Sequence, residues 1–200
     1  MVSDVGVEMG AASFQISIGD YTLTWTMGWN AYHRHLHTAM VVEEISPTAG
    51  AGQVAALAVY EGSLSGPFLL IGQGYTPRWP GDTIQVGALL VPGTGVLFVG
   101  TQDLVLAYDL GMTRRLWREC VKGGFGGWQR HGAYVVMSAG MELAVWDLHG
   151  SKQWSTSVAP PYSYAVVAGM MCVTTTGGTT SFPLAMGPFE GTTVLRPTPP

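Results

Sequence analysis

The segment at residues 95–120, GVLFVGTQDLVLAYDLGMTRRLWREC, is followed at residues 132–157 by a near copy, GAYVVMSAGMELAVWDLHGSKQWSTS. Each copy holds two apolar runs, then Tyr-Asp-Leu or Trp-Asp-Leu, a glycine and a tryptophan. Asp147 follows Asp109 by 38 residues, and Trp154 follows Trp117 by 37 residues. Such a repeat marks units that bury their apolar faces by stacking on their neighbours. The sequence therefore predicts an all-β fold of stacked antiparallel sheets with repeat units near 95–120 and 132–157.

Residues 107–111 (AYDLG) with Trp117, and residues 146–150 (WDLHG) with Trp154, resemble the repeat of quinoprotein-type β-propellers. The Trp-Asp pair of the second copy is also similar to WD-type blades. The resemblance implies that the aspartate begins a turn, that glycine completes it and that the tryptophan docks on the neighbouring blade. It carries over no quinone site. At about 40 residues per blade the chain would hold about five blades, fewer than these families usually have, so an incomplete propeller and a β-sandwich stay open as alternatives.

The composition fits a sheet protein with many tight turns, since hydrophobic residues make up 47%, charged residues only 11%, and glycines number 28. We expect a single domain over residues 1–186 and a frayed tail over 187–200. The first residues lack the pattern of a signal peptide, and no apolar run is long enough to span a membrane. We therefore expect a cytoplasmic protein with no membrane contact, and we expect Cys120 and Cys172 to be reduced, half-buried thiols.

The hairpin FQISIGDYTLTW at residues 14–25 is the clearest local structure. A two-residue turn at Gly19-Asp20 pairs Ile18 with Tyr21, and the same register gives one apolar face and one polar face. This sorting predicts that the apolar face lies on a core. Further strands are predicted at residues 38–45, 54–61, 68–72, 164–167, 170–175 and 179–184.

Five of the nine Lys and Arg residues lie within residues 114–130, although the net charge of the chain is −4. Two exposed aromatic residues and one arginine are expected in a loop at residues 75–82. The predicted partner-binding residues are Arg114, Arg115, Arg118, Tyr75, Arg78 and Trp79. The basic stretch would suit a protein partner with an acidic surface. Two structural alternatives remain, a solvated edge strand for the arginines and a plug at the end of the sheets for Trp79. The acidic chain shows no nucleic-acid motif, so we expect no nucleic acid.

Three histidines, His33, His35 and His37, alternate with other residues in YHRHLH. In a strand they would point to one face, where His33 and His35 could bind zinc or another transition metal. A site would need a further ligand, for which Glu43, Glu44, His131 and His149 are candidates. The alternative is a solvent-facing polar strip without metal.

Common catalytic motifs are missing from the sequence, including the Gly-x-Ser-x-Gly elbow and the His-Glu-x-x-His helix. The favoured function is therefore a non-enzymatic protein-binding module without a cofactor. A bacterial immunity or scaffold protein, which neutralises or presents its partner, is one concrete form. The alternative is a metal-dependent enzyme that uses the His33/His35/His37 cluster.

Overall fold

The computed structural model describes residues 13–46, 52–62, 65–76 and 84–189. The chain divides into two compact units, Met1–Thr83 and Ile84–Pro200. Most of the predicted loops at 46–53 and 75–82, and most of the predicted tail at 187–200, lie outside the described residues. No helix within the described ranges has the length and apolar character needed to cross a membrane.

The first unit contains one five-stranded sheet and one helix. The strand order in the sheet is β1-β2-β4-β5-β3. β3 pairs with β5 in parallel, and the other pairs are antiparallel. The elements are β1 (Ser13–Ile18), β2 (Tyr21–Met27), α1 (Trp29–Leu36), β3 (Val41–Ser46), β4 (Gln53–Glu61) and β5 (Leu69–Tyr75).

The predicted hairpin is confirmed in its register but not in its burial. Ile18 pairs with Tyr21, and the pairing continues as predicted to Phe14 with Trp25. Phe14 is nevertheless 61% exposed and Ile16 42% exposed. The prediction that this apolar face lies wholly on a core is therefore wrong for β1, because β1 is an edge strand of the sheet.

Helix α1 packs on one face of this sheet. It begins after Gly28, whose φ of 96° is a conformation that favours glycine. Tyr32 is 1% exposed and packs with Val54, Ala56 and other buried residues of the sheet. A Cβ atom added to Gly72 would lie 2.8 Å from the Tyr32 ring. The helix is therefore held by close contact with the sheet, since eight residues form only a marginal helix by themselves.

The second unit consists of three antiparallel sheets, with strand orders β6-β7-β8-β9, β10-β11-β12-β13 and β14-β15-β16. The prediction of stacked antiparallel sheets is confirmed here. The strands are β6 (Val86–Val91), β7 (Val96–Thr101), β8 (Leu104–Asp109), β9 (Arg114–Cys120), β10 (Phe125–His131), β11 (Tyr134–Ala139), β12 (Glu142–Asp147), β13 (Lys152–Ser157), β14 (Tyr162–Val167), β15 (Met170–Thr175) and β16 (Gly178–Pro183).

Two apolar cores join these three sheets. The first lies between the β6–β9 sheet and the β10–β13 sheet, and the aromatic rings of Phe98, Phe125 and Trp146 are buried in it. The second lies between the β10–β13 sheet and the β14–β16 sheet and contains Val145 and Phe182. The β10–β13 sheet therefore buries both of its faces against the two sheets stacked on it, and the fold is all-β and propeller-like.

The repeated aspartates and tryptophans have the scaffold roles that the resemblance implies. Asp147 Oδ1 accepts hydrogen bonds from the backbone N–H groups of His149 and Ser151, both at 2.9 Å. Asp109 Oδ1 accepts one from the backbone N–H of Met112 at 3.1 Å. Both aspartates therefore close the turns that follow β8 and β12.

Each repeat tryptophan is bonded to the turn of the next sheet. The Trp117 indole N–H donates to the Gly150 carbonyl oxygen at 2.6 Å. The Trp154 indole N–H donates to the Leu184 carbonyl oxygen at the same distance. Each bond links the outermost strand of one sheet to the sheet stacked beside it. The tryptophans thus fix the stacking by both apolar contact and a directional bond.

Candidate binding surface

The main candidate surface is the edge strand β9, residues 114–120, of the β6–β9 sheet. Among the residues that the structure describes, β9 pairs with β8 and with no other strand. The side chains of Arg114, Arg115 and Arg118 are all exposed. An edge strand presents backbone N–H and C=O groups along its open side. The β9 edge thus combines open backbone groups with positive charge.

A β-bulge determines which arginines share a face. The register shifts between Ala107 and Tyr108, because Ala107 pairs with Trp117 and Tyr108 pairs with Arg115. Arg118 pairs with Leu106. Since Leu106 and Tyr108 lie two residues apart on β8, Arg115 and Arg118 lie on the same face of the sheet. Plain alternation along β9 would have placed them on opposite faces, so the bulge brings two guanidinium groups together.

The opposite face of β9 anchors the strand. Trp117 stacks on Trp146 with ring centroids 5.2 Å apart and an interplanar angle of 15°. The carboxylate of Glu119 forms an ion pair with Lys152, and the Lys152 ammonium lies 5.2 Å from the centroid of the Trp146 ring. The one acidic side chain of β9 therefore contacts the β10–β13 sheet, on the face opposite to Arg115 and Arg118.

The other three predicted partner-binding residues lie within residues 75–79. Tyr75 is the last residue of β5 and is only 6% exposed, so its side chain offers little surface to a partner. Arg78 and Trp79 lie outside the described residues. Cys120 and Cys172 are free thiols, as predicted. Cys120 is exposed at the end of β9, whereas the sequence indicated a half-buried position.

The histidine segment forms helix α1, so the prediction that it is a strand is wrong. The alternation of histidines suggested a period of two residues, but Trp29, Tyr32 and Leu36 follow the helical spacing and form the side that packs on the sheet. His33 and His35 therefore point to different sides of the helix. This apolar spacing was the sequence signal that could have identified the helix.

His35 faces the sheet rather than solvent. Its Nδ1 atom lies 2.9 Å from the Tyr60 hydroxyl oxygen, within hydrogen-bond distance. Burial, and to a lesser extent the positive charge of Arg34, lowers the pKa of His35 below its ordinary value. Burial also raises the pKa of Tyr60. These shifts favour the neutral form of both side chains.

Two of the candidate further ligands, Glu44 and His131, have hydrogen-bond partners of their own. Glu44 accepts a hydrogen bond at 3.1 Å from the Tyr32 hydroxyl, and His131 bonds to Gln129. Within the described ranges, no group of three or more His, Cys, Asp or Glu side chains could hold a metal ion. A site of three or more protein ligands around His33 and His35 is therefore not formed by these residues.

A cleft that the sequence did not indicate lies in the second unit at the turns between β10 and β11 and between β14 and β15. Its volume is about 470 Å³, and His131 and Tyr134 are its principal polar side chains. Val166 and Leu184 supply apolar walls. The cleft contains no pair of carboxylates and no nucleophile beside a base, so its lining suggests no reaction.

No protein-family model matches the sequence, and no curated protein matches it. Among solved structures, BamB from Moraxella catarrhalis is similar to this chain with a TM-score of 0.39 and 12% sequence identity. The match covers 88% of this chain and 76% of the BamB chain. A likeness this low says nothing about function.

Proposed function

We propose that this chain is a non-enzymatic protein-binding module whose β9 edge receives an extended acidic segment of another protein. The observation that carries the proposal is the bulge that places Arg115 and Arg118 on one face of an exposed edge strand. A guanidinium group can bind a carboxylate through two parallel hydrogen bonds. An open strand edge can pair with an extended chain through backbone hydrogen bonds. Together these groups match a strand that carries Asp or Glu.

The anchoring of β9 supports this proposal, because a binding strand loses less entropy when it is already ordered. Trp117 is bonded to Gly150 and stacked on Trp146, so the backbone of β9 is held on the side away from Arg115 and Arg118. The arginines therefore extend from a fixed strand, which reduces the ordering cost of association.

Edge protection is the competing explanation for the same features. A bulge and charged side chains on an edge strand also prevent two sheets from pairing by accident. Under that explanation the β9 edge would bind no acidic strand. The two explanations therefore differ in a measurable property.

A direct test uses a seven-residue peptide of alternating Glu and Val, which matches the seven residues of β9. Its binding is measured by fluorescence anisotropy, with a Lys-Val peptide as the comparison. We expect the acidic peptide to bind and the Lys-Val peptide not to bind. The affinity of the acidic peptide should fall with added salt, because the ion pairs are exposed. Failure of the acidic peptide to bind at low salt would contradict the proposal.

Charge reversal supplies the matched control. The double variant Arg115→Glu, Arg118→Glu should weaken binding by about tenfold or more, since each lost pair is a charge-assisted hydrogen bond. The variant Arg34→Glu, Arg130→Glu has the same net charge but changes exposed arginines on α1 and β10. It should bind within about twofold of the unchanged protein. An equal loss in both variants would mean that net charge, and not the β9 edge, governs binding. Circular dichroism confirms that each variant is folded.

The specific biological form that we propose is an immunity or scaffold protein of the cytoplasm. Such a protein would neutralise or present its partner by holding one segment of it in a fixed conformation. Genes adjacent to the coding sequence supply the candidate partners. Co-expression of each candidate with the unchanged chain and with the Arg115→Glu, Arg118→Glu variant tests this form. A partner retained equally well by both chains would contradict it.

A further inference from the structure

The helical path of α1 continues through His37. This residue caps the helix with φ −74° and ψ −15°, which are helical angles. Its backbone N–H donates to the carbonyl oxygen of His33 at 3.4 Å, four residues earlier. Residues four apart on a helix lie on the same face, with Cβ atoms about 5–6 Å apart. His33 and His37 therefore lie next to each other on one face of the helix, whereas the sequence had favoured His33 with His35.

The two side chains of this pair are on the solvent side of the helix. Both His33 and His37 are exposed. The His33 ring stacks on Trp29, with centroids 5.6 Å apart and an interplanar angle of 25°. His35 is instead half-buried beside Tyr60. The stack limits the orientations of the His33 ring.

We propose that His33 and His37 form a two-histidine chelate for a divalent transition-metal ion. Two histidines at positions i and i+4 on one helical face are an established arrangement for binding zinc. Imidazole also suits copper and nickel, and copper should bind most tightly of the three. The described residues offer no group of three ligands, so the proposed site consists of two histidines, and water can complete the coordination of the ion. The site is therefore exchangeable and differs from a buried structural metal centre.

The proposal is tested by titrating the full chain with Cu²⁺ and with Zn²⁺ in separate calorimetric experiments. One ion per chain should bind at this site, and the Cu²⁺ spectrum by electron paramagnetic resonance should show coordination by imidazole nitrogen. Cu²⁺ should also quench part of the tryptophan fluorescence, because Trp29 contacts His33. In a Trp29→Phe background this part of the quenching should disappear while binding remains.

Three variants distinguish a chelate from unspecific binding by histidine. Replacing either histidine, in His33→Ala or His37→Ala, should weaken Cu²⁺ binding by about tenfold or more, because the ion then loses the second ligand that binds it intramolecularly. The variant His149→Ala removes an exposed histidine of the second unit and should leave the affinity unchanged. The combined variant Arg34→His, His37→Ala keeps the number of histidines but loses the i, i+4 spacing, and it should bind as weakly as His37→Ala.

Two results would overturn the proposal. Binding of equal strength in His33→Ala, His37→Ala and the unchanged protein would place the ion elsewhere. Binding restored in full by Arg34→His, His37→Ala would show that histidine content is sufficient and that the helical spacing has no role. Circular dichroism of each variant confirms that α1 and the sheet remain folded.

Discussion

The substitution Trp117→Phe tests whether the repeat tryptophans stabilise the stacked sheets through a specific bond. It removes the indole N–H that donates to the Gly150 carbonyl oxygen at 2.6 Å, while an aromatic ring remains beside Trp146. Gly150 is buried, so its carbonyl oxygen would lose this donor away from bulk water. The sheet stacking should therefore lose free energy although the apolar contact is largely kept.

Trp128 provides a matched comparison in the same core. Its ring lies 5.5 Å from that of Trp146, and its buried indole N–H has no hydrogen-bond partner within the described ranges. Both substitutions to phenylalanine remove a similar amount of ring. Only Trp117→Phe also removes a hydrogen bond and leaves an acceptor unpaired, which costs about 1–3 kcal/mol. We expect Trp117→Phe to lower the free energy of unfolding by about that amount more than Trp128→Phe does.

The measurement is equilibrium unfolding in urea, followed by far-ultraviolet circular dichroism because both substitutions alter the fluorescence. The dependence of the free energy on urea should be unchanged, so that the midpoints report stability alone. Equal losses of stability in the two variants would refute the reasoning. In that case the tryptophan would act only by filling space between the sheets.

Three further substitutions test other parts of the second unit. Asp147→Ala should lower the unfolding free energy by about 1–2 kcal/mol, because two backbone N–H groups lose their acceptor. A thermal melt would detect this loss. An unchanged melting temperature would show that the turn does not need the carboxylate. Gly100→Ala places a Cβ atom against the Phe125 ring and should lower the free energy of unfolding in urea by about 1–3 kcal/mol. Adding Phe125→Leu to the same chain should recover part of this loss. Unchanged stability in Gly100→Ala would mean that the ring can move. Burial, with a smaller effect of Tyr162, raises the pKa of Tyr164 to about 12. The unfolded chain then releases its phenolic proton first, so stability should fall between about pH 10 and pH 12, and Tyr164→Phe should flatten this fall; an identical pH profile in the variant would contradict the assignment.

The sequence determined the features that depend on neighbouring residues. The turn at Gly19-Asp20 fixed the hairpin register, since one register alone sorts apolar and polar side chains onto separate faces. The repeat likewise predicted the sheets of the second unit. Asp147 and Trp117 were assigned to the scaffold by resemblance, and both make the contacts that this role requires.

The sequence did not determine features that depend on which surfaces meet. The alternating histidines suggested a strand, but contact between Tyr32 and Gly72 holds this segment as a helix on the sheet. The helical conformation turns His35 away from His33 and places His37 beside His33. An eight-residue segment has little helical preference of its own, so its partner surface decides its conformation.

The sequence and the tertiary structure also determined different features of the candidate binding surface. The sequence showed that arginines are concentrated in the repeat, and alternation would have placed Arg115 and Arg118 on opposite faces. The bulge at Leu116 puts them on one face while Trp117 bonds to Gly150. Composition and periodicity therefore determined the strands and the charge of β9, because these depend on the order of residues along the chain. Only the tertiary structure decided which charges act together, because the bulge that shifts the pairing of β8 and β9 cannot be read from the two-residue period of a strand.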